Sequence, residues 1–179
     1  MDVIDPELGP SLRIRHLLEV LDRHGVDFIV IGGVAGLIHG SAYPTYDCDV
    51  IYGRDKRNLE RMAAALVDLK ATLHGAPADL PLQLDAQMLD AGCNFTFDTA
   101  FGRFDILGEA SGMRPYETMR AAAMREDVWS IPVLVSSIDD LIRMKRAAGR
   151  TKDKLMAEEL IAIAEAQRRS AKGEKGASS

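Results

Sequence analysis

Two aspartates separated by one residue, Asp47 and Asp49, are the first side chains whose spacing could support chemistry. They open a short β-branched run, and residues two apart on a strand point to the same face. Two adjacent carboxylates repel each other unless a cation lies between them. Magnesium prefers such oxygen ligands together with substrate phosphates. The pair therefore predicts a divalent-metal site, although a solvated loop before a strand would also accommodate an isolated pair of this kind.

A third aspartate, Asp105, lies between Phe104 and Ile106 in another apolar run. Aspartate is depleted in strands and is rarely buried without a partner. A metal shared with Asp47 and Asp49 would supply such a partner. An outward-facing position on an exposed sheet face would need none, so Asp105 taken alone fits both environments.

A glycine pair, Gly32 and Gly33, ends an apolar run upstream of these aspartates. Glycines between a strand and a helix let backbone N–H groups approach a phosphate, and the N-terminus of a helix favours an anion. The same pair is also typical of a plain strand-to-helix turn. The order of the three features favours a single site, with phosphates at the glycines and metals at the carboxylates. Two metals bridging phosphoryl oxygens would stabilise an in-line displacement.

The elements that must position these side chains follow from periodicity. Apolar residues at helical spacing predict helices over 11–24, 34–39, 55–69, 85–91 and 115–124, with a loop over 71–83. β-branched and aromatic runs predict strands over 27–31, 49–52, 94–97, 104–107 and 133–135, with a hairpin connection over 98–103. Two C-terminal helices are predicted, one from Ser137 as N-cap to about Ala148 with Gly149 as C-terminal cap, the other from Thr151 toward Arg169.

This pattern predicts an α/β (α+β) fold in which helices flank a small mixed sheet and a helical pair follows at the C-terminus. We expect one domain over residues 1–170, comprising an α/β core over 11–135 and helices over 136–170. The segment 171–179 is rich in Ser, Gly, Lys and Ala and is predicted to be a disordered tail.

Composition excludes several classes of function. The net charge of −5 argues against a generally basic nucleic-acid coat, although it permits a local basic patch. Cys48 and Cys93 form neither a CxxC pair nor a disulfide framework, so a structural zinc site is not expected and a reducing cytoplasm fits. The longest apolar stretch surrounds residues 28–38 and is too short to span a membrane.

Ile31-Gly32-Gly33 followed by Asp47-Cys48-Asp49-Val50 resembles the signature of the polymerase-β-like nucleotidyltransferase superfamily. In that superfamily a Gly-Gly or Gly-Ser pair precedes a second motif, two acidic residues flanking a hydrophobic one, by about this distance. Further stretches resemble a bacterial subgroup of small nucleotidyltransferases, which is itself similar to the toxin-type enzymes of toxin–antitoxin and abortive-infection systems. These stretches are 39–41, 84–86, 94–97 and 141–150.

The resemblance implies a nucleotidyltransferase fold and metal-dependent transfer of a nucleoside monophosphate from a nucleoside triphosphate to an acceptor. It implies Asp47, Asp49 and Asp105 as catalytic ligands of Mg²⁺ or Mn²⁺. The residues that it implies at the nucleotide are Gly32, Gly33, Ser41 and Lys145. The implied acceptor is the 3′ end of a transfer RNA, with a protein side chain or a small hydroxylated molecule such as an aminoglycoside as alternatives. A cognate antitoxin is an implied partner.

Several features leave alternatives open. Tyr43 stands where related sequences often have an arginine that could bind phosphate. Lys152 and Asp153 resemble a recurring pair to which the resemblance gives no role. They belong to a basic run that fits nucleotide or RNA-backbone contacts as well as an exposed helical face. A catalytically silent nucleotide- or partner-binding module and an antitoxin-like protein modifier are the competing functions.

Overall fold

The computed structural model describes residues 10–77 and 83–176. The helices among these residues are α1 (Pro10–Arg23), α2 (Gly32–His39), α3 (Lys56–Asp68), α4 (Ala86–Ala91), α5 (Tyr116–Ala122), α6 (Ile138–Ala148) and α7 (Thr151–Gly176). The strands are β1 (Phe28–Ile31), β2 (Cys48–Tyr52), β3 (Thr72–Leu73), β4 (Asn94–Thr99), β5 (Gly102–Leu107), β6 (Met124–Val128) and β7 (Ile131–Val135). No helix of the described residues is long and apolar enough to cross a membrane.

The strands form one mixed sheet in the order β3-β4-β5-β2-β1-β7-β6. Strands β1 and β7 are parallel, as are β2 and β5, and the other neighbouring pairs are antiparallel. The central strands β1 and β2 are apolar and almost entirely buried, because helices cover both faces of the sheet there. The predicted α/β fold is confirmed.

The register of β2 with its two neighbours brings the predicted acidic residues together. Because β1 and β2 are antiparallel, Asp49 near the start of β2 lies opposite Ile31 at the end of β1, where α2 begins. Because β2 and β5 are parallel and in register, Asp49 lies opposite Asp105. Two segments more than fifty residues apart in the chain thus contribute adjacent carboxylates.

The two faces of the sheet bury different clusters. The larger cluster includes α1, α3 and the β1 side chains of Phe28 and Val30. The smaller cluster joins Ile31 and Ile51 to Met119 of α5 and Met144 of α6. Side chains alternate along a strand, so Asp49 shares the face of Ile51. The acidic pair therefore lies at the edge of the layer formed by α5 and α6.

Local signals position α6 as predicted. The Ser137 hydroxyl accepts a hydrogen bond from the Asp140 backbone N–H at 3.2 Å and so caps the start of the helix. Gly149 ends it at φ +70°, a left-handed conformation that glycine adopts without steric cost. This glycine turns the chain sharply into α7, so the two C-terminal helices pack against each other.

Three features differ from the sequence prediction. Strand β6 was missed because its sequence, MREDV, is mostly charged, which suits an edge strand but hides the period of two. Strand β3 lies within the predicted loop 71–83, of which residues 78–82 are outside the described residues. In the predicted disordered tail, helix α7 continues to Gly176, since alanine, lysine and glutamate in this stretch favour helix, and residues 177–179 are outside the described residues.

Candidate active site

A cleft of about 370 Å³ opens where the end of β1, the start of β2 and the turn between α6 and α7 meet. The loop 43–47 and strand β5 complete its walls. Its lining is unusually rich in charge of both signs. The lining residues are Gly33, Tyr43, Pro44, Thr45, Asp47, Asp49, Arg103, Asp105, Lys145, Arg150, Lys152, Asp153 and Met156.

The acidic wall is built on the paired strands β2 and β5. Asp49 and Asp105 lie directly opposite each other in the register of these strands. Burial raises the pKa of Asp49, the negative charge of Asp105 raises it further, and Lys145 opposes the shift. Oδ1 of Asp105 is buried and has no hydrogen-bond partner among the described residues. A buried acceptor of this kind calls for a cation or a donor.

The donor chemistry of this wall fits a divalent cation. All the candidate ligands are carboxylate oxygens, and one of them is unsatisfied, as a hard cation such as Mg²⁺ would require. Asp47 lies just before β2, is exposed, and lines the same cleft. Within residues 10–77 and 83–176, however, no three His, Cys, Asp or Glu side chains already surround a common point. A site made of all three aspartates therefore stays a prediction.

Because they have no side chains, Gly32 and Gly33 allow the segment that carries Asp47 and Asp49 to pack closely against the start of α2. Gly32 has φ +65°, and a side chain there would overlap the Asp49 carboxylate. A side chain at Gly33 would overlap Thr45, whose hydroxyl donates to the backbone oxygen of Asp47 at 3.2 Å. Gly33 lines the cleft, whereas Gly32 supports the site through its contact with Asp49. The pair thus permits close packing of the loop 43–47 and the start of β2 against the N-terminus of α2.

The basic wall of the cleft lies at the turn between α6 and α7. Asp153 is buried, and its carboxylate accepts from Lys145 Nζ at 3.1 Å and from Arg150 Nε at 2.6 Å. Burial alone would raise the pKa of Asp153, but the hydrogen bonds from Arg150 and Lys145 outweigh it and keep that pKa below its ordinary value. Asp153 therefore fixes the two cations at the cleft.

Sequence reasoning singled out Lys145 from the resemblance but gave no role to Asp153. The structure shows why the two belong together, since a single turn closed by Gly149 brings them into contact. A lysine and an aspartate eight residues apart carry no recognisable signal unless the turn between their helices is known. Lys152 also lines the cleft, next to this pair.

Ser41 is placed differently from its predicted position at the triphosphate. It is buried outside the described lining of the cleft, and its hydroxyl donates to Glu159 of α7. The same carboxylate accepts from the Ala42 backbone N–H at 2.9 Å. The contact arises from the packing of α7 over α2, which the sequence alone did not reveal. In this arrangement Ser41 anchors the loop, and a nucleotide contact of its own stays a prediction.

Two other residues near the motif have clear positions. Tyr43, which replaces the arginine frequent in related sequences, lines the cleft. Cationic side chains of the α6–α7 turn line the same cleft. His39 is buried, and its Nε2 lies 2.8 Å from the carbonyl oxygen of Ser136, so it joins α2 to the segment before α6 and lies outside the described lining.

The sequence matches no protein-family model and no curated protein. Its fold, by contrast, matches solved nucleotidyltransferase structures. The lincosamide antibiotic adenylyltransferase LnuA, solved with lincomycin bound, aligns over 84% of this chain and 96% of its own at 12% identity and a TM-score of 0.58. The antibiotic-resistance factor ANT(2'')-Ia aligns over 93% and 95% at 14% identity and a TM-score of 0.54 in its solution structure. Its crystal structure with adenylyl-2''-tobramycin aligns over 90% and 98% at 12% identity and a TM-score of 0.53.

At these identities the likeness establishes the fold. The chain therefore has a nucleotidyltransferase-like fold over nearly its whole length. This confirms the fold expected from the resemblance, while the similarity to toxin-type enzymes stays a prediction.

Proposed function

We propose that this protein is a metal-dependent nucleotidyltransferase, which moves a nucleoside monophosphate from a nucleoside triphosphate to a hydroxyl group and releases pyrophosphate. One observation carries the proposal. The adjacent carboxylates of Asp49 and Asp105, one with an unsatisfied buried oxygen, face a wall of cations in a single cleft. This is the arrangement that a triphosphate and its counter-ions require.

The cations of the α6–α7 turn would bind the triphosphate. Lys145 and Arg150 are held by Asp153, so their charges are fixed before substrate arrives and little ordering is needed on binding. Lys152 adds a third positive charge. The backbone at Gly33, at the start of α2, would donate to phosphate oxygens on the same side.

Asp47, Asp49 and Asp105 would hold Mg²⁺ or Mn²⁺, which when bound neutralises charge that develops on the phosphoryl oxygens. Asp105 would also help to activate the acceptor, because its unsatisfied oxygen would accept the proton of the acceptor hydroxyl directly or through the metal. The hydroxyl oxygen then bonds to the α-phosphorus while the bond from the α-phosphorus to the bridging oxygen breaks, so pyrophosphate leaves with its electron pair.

Two classes of acceptor have support. The similarity to toxin-type enzymes favours the 3′ end of a transfer RNA, and such a toxin would have an antitoxin partner. The likeness to LnuA and to ANT(2'')-Ia favours a small hydroxylated molecule such as an antibiotic. A catalytically silent binding module would keep the cations but would not need the unsatisfied carboxylate oxygen of Asp105.

Transfer of label from each α-labelled nucleoside triphosphate tests the proposal. The purified chain is incubated with Mg²⁺ and with total cellular RNA, total protein, tobramycin or lincomycin. We expect label in one acceptor, and loss of that label by roughly a hundredfold or more in Asp49→Asn, which keeps the shape but removes the charge. Asp139→Asn, an exposed substitution on α6, is the matched control. If folded wild-type protein labels no acceptor with any nucleotide, the proposed activity is wrong.

A further inference from the structure

Basic residues are concentrated around the turn between α6 and α7. Six of the chain's 22 lysines and arginines lie in the segment 141–157, together with only one of its 27 aspartates and glutamates. This segment therefore has a formal charge of +5, in a chain whose net charge is −5. Its single acid, Asp153, is buried and already paired with Lys145 and Arg150. Such a concentration of positive charge favours a negatively charged partner.

Four of these cations form a surface that we call the basic stripe, which consists of Arg143, Arg146, Arg150 and Lys152. All four residues are exposed. Arg143 and Arg146 are three residues apart on α6, so they are neighbours on one face of that helix. Arg150 and Lys152 follow just beyond the Gly149 cap and line the cleft. The basic stripe thus extends from the cleft onto the exposed face of α6.

The two arginines on α6 are available to bind a partner. Among residues 10–77 and 83–176, neither Arg143 nor Arg146 forms an ion pair or a side-chain hydrogen bond. The acids one turn earlier on α6, Asp139 and Asp140, are paired with other arginines, and Asp140 feels the charge of Arg143 only at longer range. Both arginines lie outside the described lining of the cleft. A nucleoside triphosphate bound in the cleft would therefore leave them unoccupied.

The partner that fits the basic stripe is a polyanion that extends beyond the cleft. RNA has a phosphate at every nucleotide, so one strand can contact several cations of the stripe at once. A membrane surface would also require apolar side chains that insert into it, and Leu155 is the only exposed large apolar residue of the segment 141–157. A polycationic aminoglycoside would be repelled by the stripe.

We propose that the basic stripe binds the phosphate backbone of an RNA and thereby brings an acceptor hydroxyl of that RNA to the cleft. The inference rests on the proposed function, because Arg150 and Lys152 border the cleft in which transfer would take place. It selects RNA from the acceptor classes considered above. Arg143 and Arg146 serve this docking alone, since the triphosphate does not reach them.

Equilibrium binding tests the basic stripe without relying on turnover. The fluorescence anisotropy of a 5′-labelled transfer RNA is followed with the full chain, in the presence of Mg²⁺ and in the absence of nucleoside triphosphate. We expect Arg143→Gln and Arg146→Gln each to lower the magnitude of the slope of log affinity against log salt by roughly 0.7–0.9, the value of one lost phosphate contact. At about 0.1 M salt this loss corresponds to roughly five- to eightfold weaker binding. Both variants should keep the wild-type melting temperature, because the substituted side chains are exposed.

Arg57→Gln is the matched control. Arg57 is an exposed arginine on α3 and has no ion pair within the part of the chain that the structure describes. Helix α3 begins after the end of β2, whereas the cleft lies at the start of that strand. This substitution should change neither the affinity nor the salt dependence.

Competition separates RNA from other polyanionic surfaces. Unlabelled transfer RNA should displace the labelled RNA, whereas phosphatidylserine vesicles at the same phosphate concentration should not. The proposal is overturned if the vesicles compete as well as RNA, if the wild type does not bind the RNA, or if Arg143→Gln and Arg146→Gln bind it no more weakly than Arg57→Gln does. Because binding is measured without nucleoside triphosphate, this failure is distinguishable from failure of the proposed transferase activity.

Discussion

Asp49 is held in an environment that penalises its charge. Asp49 belongs to the buried strand β2 and lies opposite Asp105 in the sheet. Gly32 packs closely against its carboxylate. Burial, and next to it the negative charge of Asp105, raise the pKa of Asp49 above its ordinary value. The charged form of this carboxyl group is destabilised unless a cation lies next to it. Carboxyl groups with such perturbed pKa values are typical of functional sites.

The pH dependence of stability follows from this raised pKa. In the metal-free protein the contribution of Asp49 to stability is fully present below its unfolded pKa near 4 and is lost as pH rises through its raised folded pKa. We therefore expect metal-free Asp49→Asn to be more stable than the wild type at neutral pH, by about 1–2 kcal/mol, with the difference vanishing below pH 4. Thermal unfolding in a chelating buffer across this range measures it. A difference that is independent of pH would contradict the expectation.

In the basic wall of the cleft, Asp153 forms ion pairs with Lys145 and Arg150. Substituting Asp153→Asn leaves Lys145 and Arg150 without their shared carboxylate, and Lys145 is only 17% exposed. We expect the free energy of unfolding to fall by about 3 kcal/mol, because one partner of a buried ion pair is removed. In a transfer assay we expect KM for the nucleoside triphosphate to rise about tenfold while KM for the acceptor is unchanged.

Asp139→Asn is a suitable comparison for Asp153→Asn. Asp139 also pairs with an arginine, Arg168 at 2.7 Å, but both side chains are more than 60% exposed. An exposed pair of this kind contributes about 0–1 kcal/mol, so neither stability nor KM should change measurably. An equal rise in both KM values for Asp153→Asn would instead indicate a general loss of structure.

At the level of secondary structure, α7 holds the loop 41–47 in place. Glu159 of α7 accepts hydrogen bonds from the Ser41 hydroxyl and the Ala42 backbone. On the next turn toward the N-terminus of α7, Met156 packs against Gly36 of α2, where any side chain would overlap it. The loop that carries Thr45 and Asp47 is thus positioned by a helix more than a hundred residues later in the chain.

We expect the substitution Glu159→Ala to make the loop 41–47 more mobile, because it removes the acceptor of the Ser41 and Ala42 hydrogen bonds. Hydrogen exchange of residues 41–47 should become faster, and turnover should fall about tenfold, because misplacing catalytic groups by a fraction of an ångström is costly. The melting temperature should change little, since the contact lies near the surface. Glu158→Ala, an exposed neighbour on the same helix, is the control and should leave exchange in the loop unaltered. Unchanged exchange in both variants would show that α7 does not restrain the loop.

The elements that sequence predicted well are those whose pattern is local. The apolar runs of β1 and β2, the glycine pair between β1 and α2, and the caps at Ser137 and Gly149 each depend on a few neighbouring residues. The meeting of Asp49 and Asp105 could be anticipated from the unusual place of an aspartate in an apolar strand and from the resemblance, but their exact register follows only from the pairing of β2 with β5. The contacts of Ser41 with Glu159 and of Lys145 with Asp153 could not, since they arise from packing between distant helices.

At the scale of the whole molecule, the cleft joins two parts of one fold. Strands β2 and β5 supply the acidic wall, and the α6–α7 turn supplies the basic wall. These walls are linked through α2 and through the small cluster around Ile31 and Met144. A metal–triphosphate complex, negatively charged at its phosphates and positively charged at its metal, would bind both walls at once.

If the complex binds both walls, the free energy of unfolding should increase fully only when metal and nucleotide are both present. With Mg²⁺ and a non-hydrolysable nucleoside triphosphate at about 100 times their dissociation constant, the folded state should gain about 2.7 kcal/mol, or roughly 5–10 °C in melting temperature. Asp105→Asn should lose most of this gain, while Asp139→Asn, outside the cleft, should keep it. Hydrogen exchange at the α6–α7 turn should slow only when both ligands are present. A full shift with nucleotide alone, or an undiminished shift in Asp105→Asn, would mean that the acidic wall does not hold the metal, and the nucleotide would then be bound by the basic wall without it.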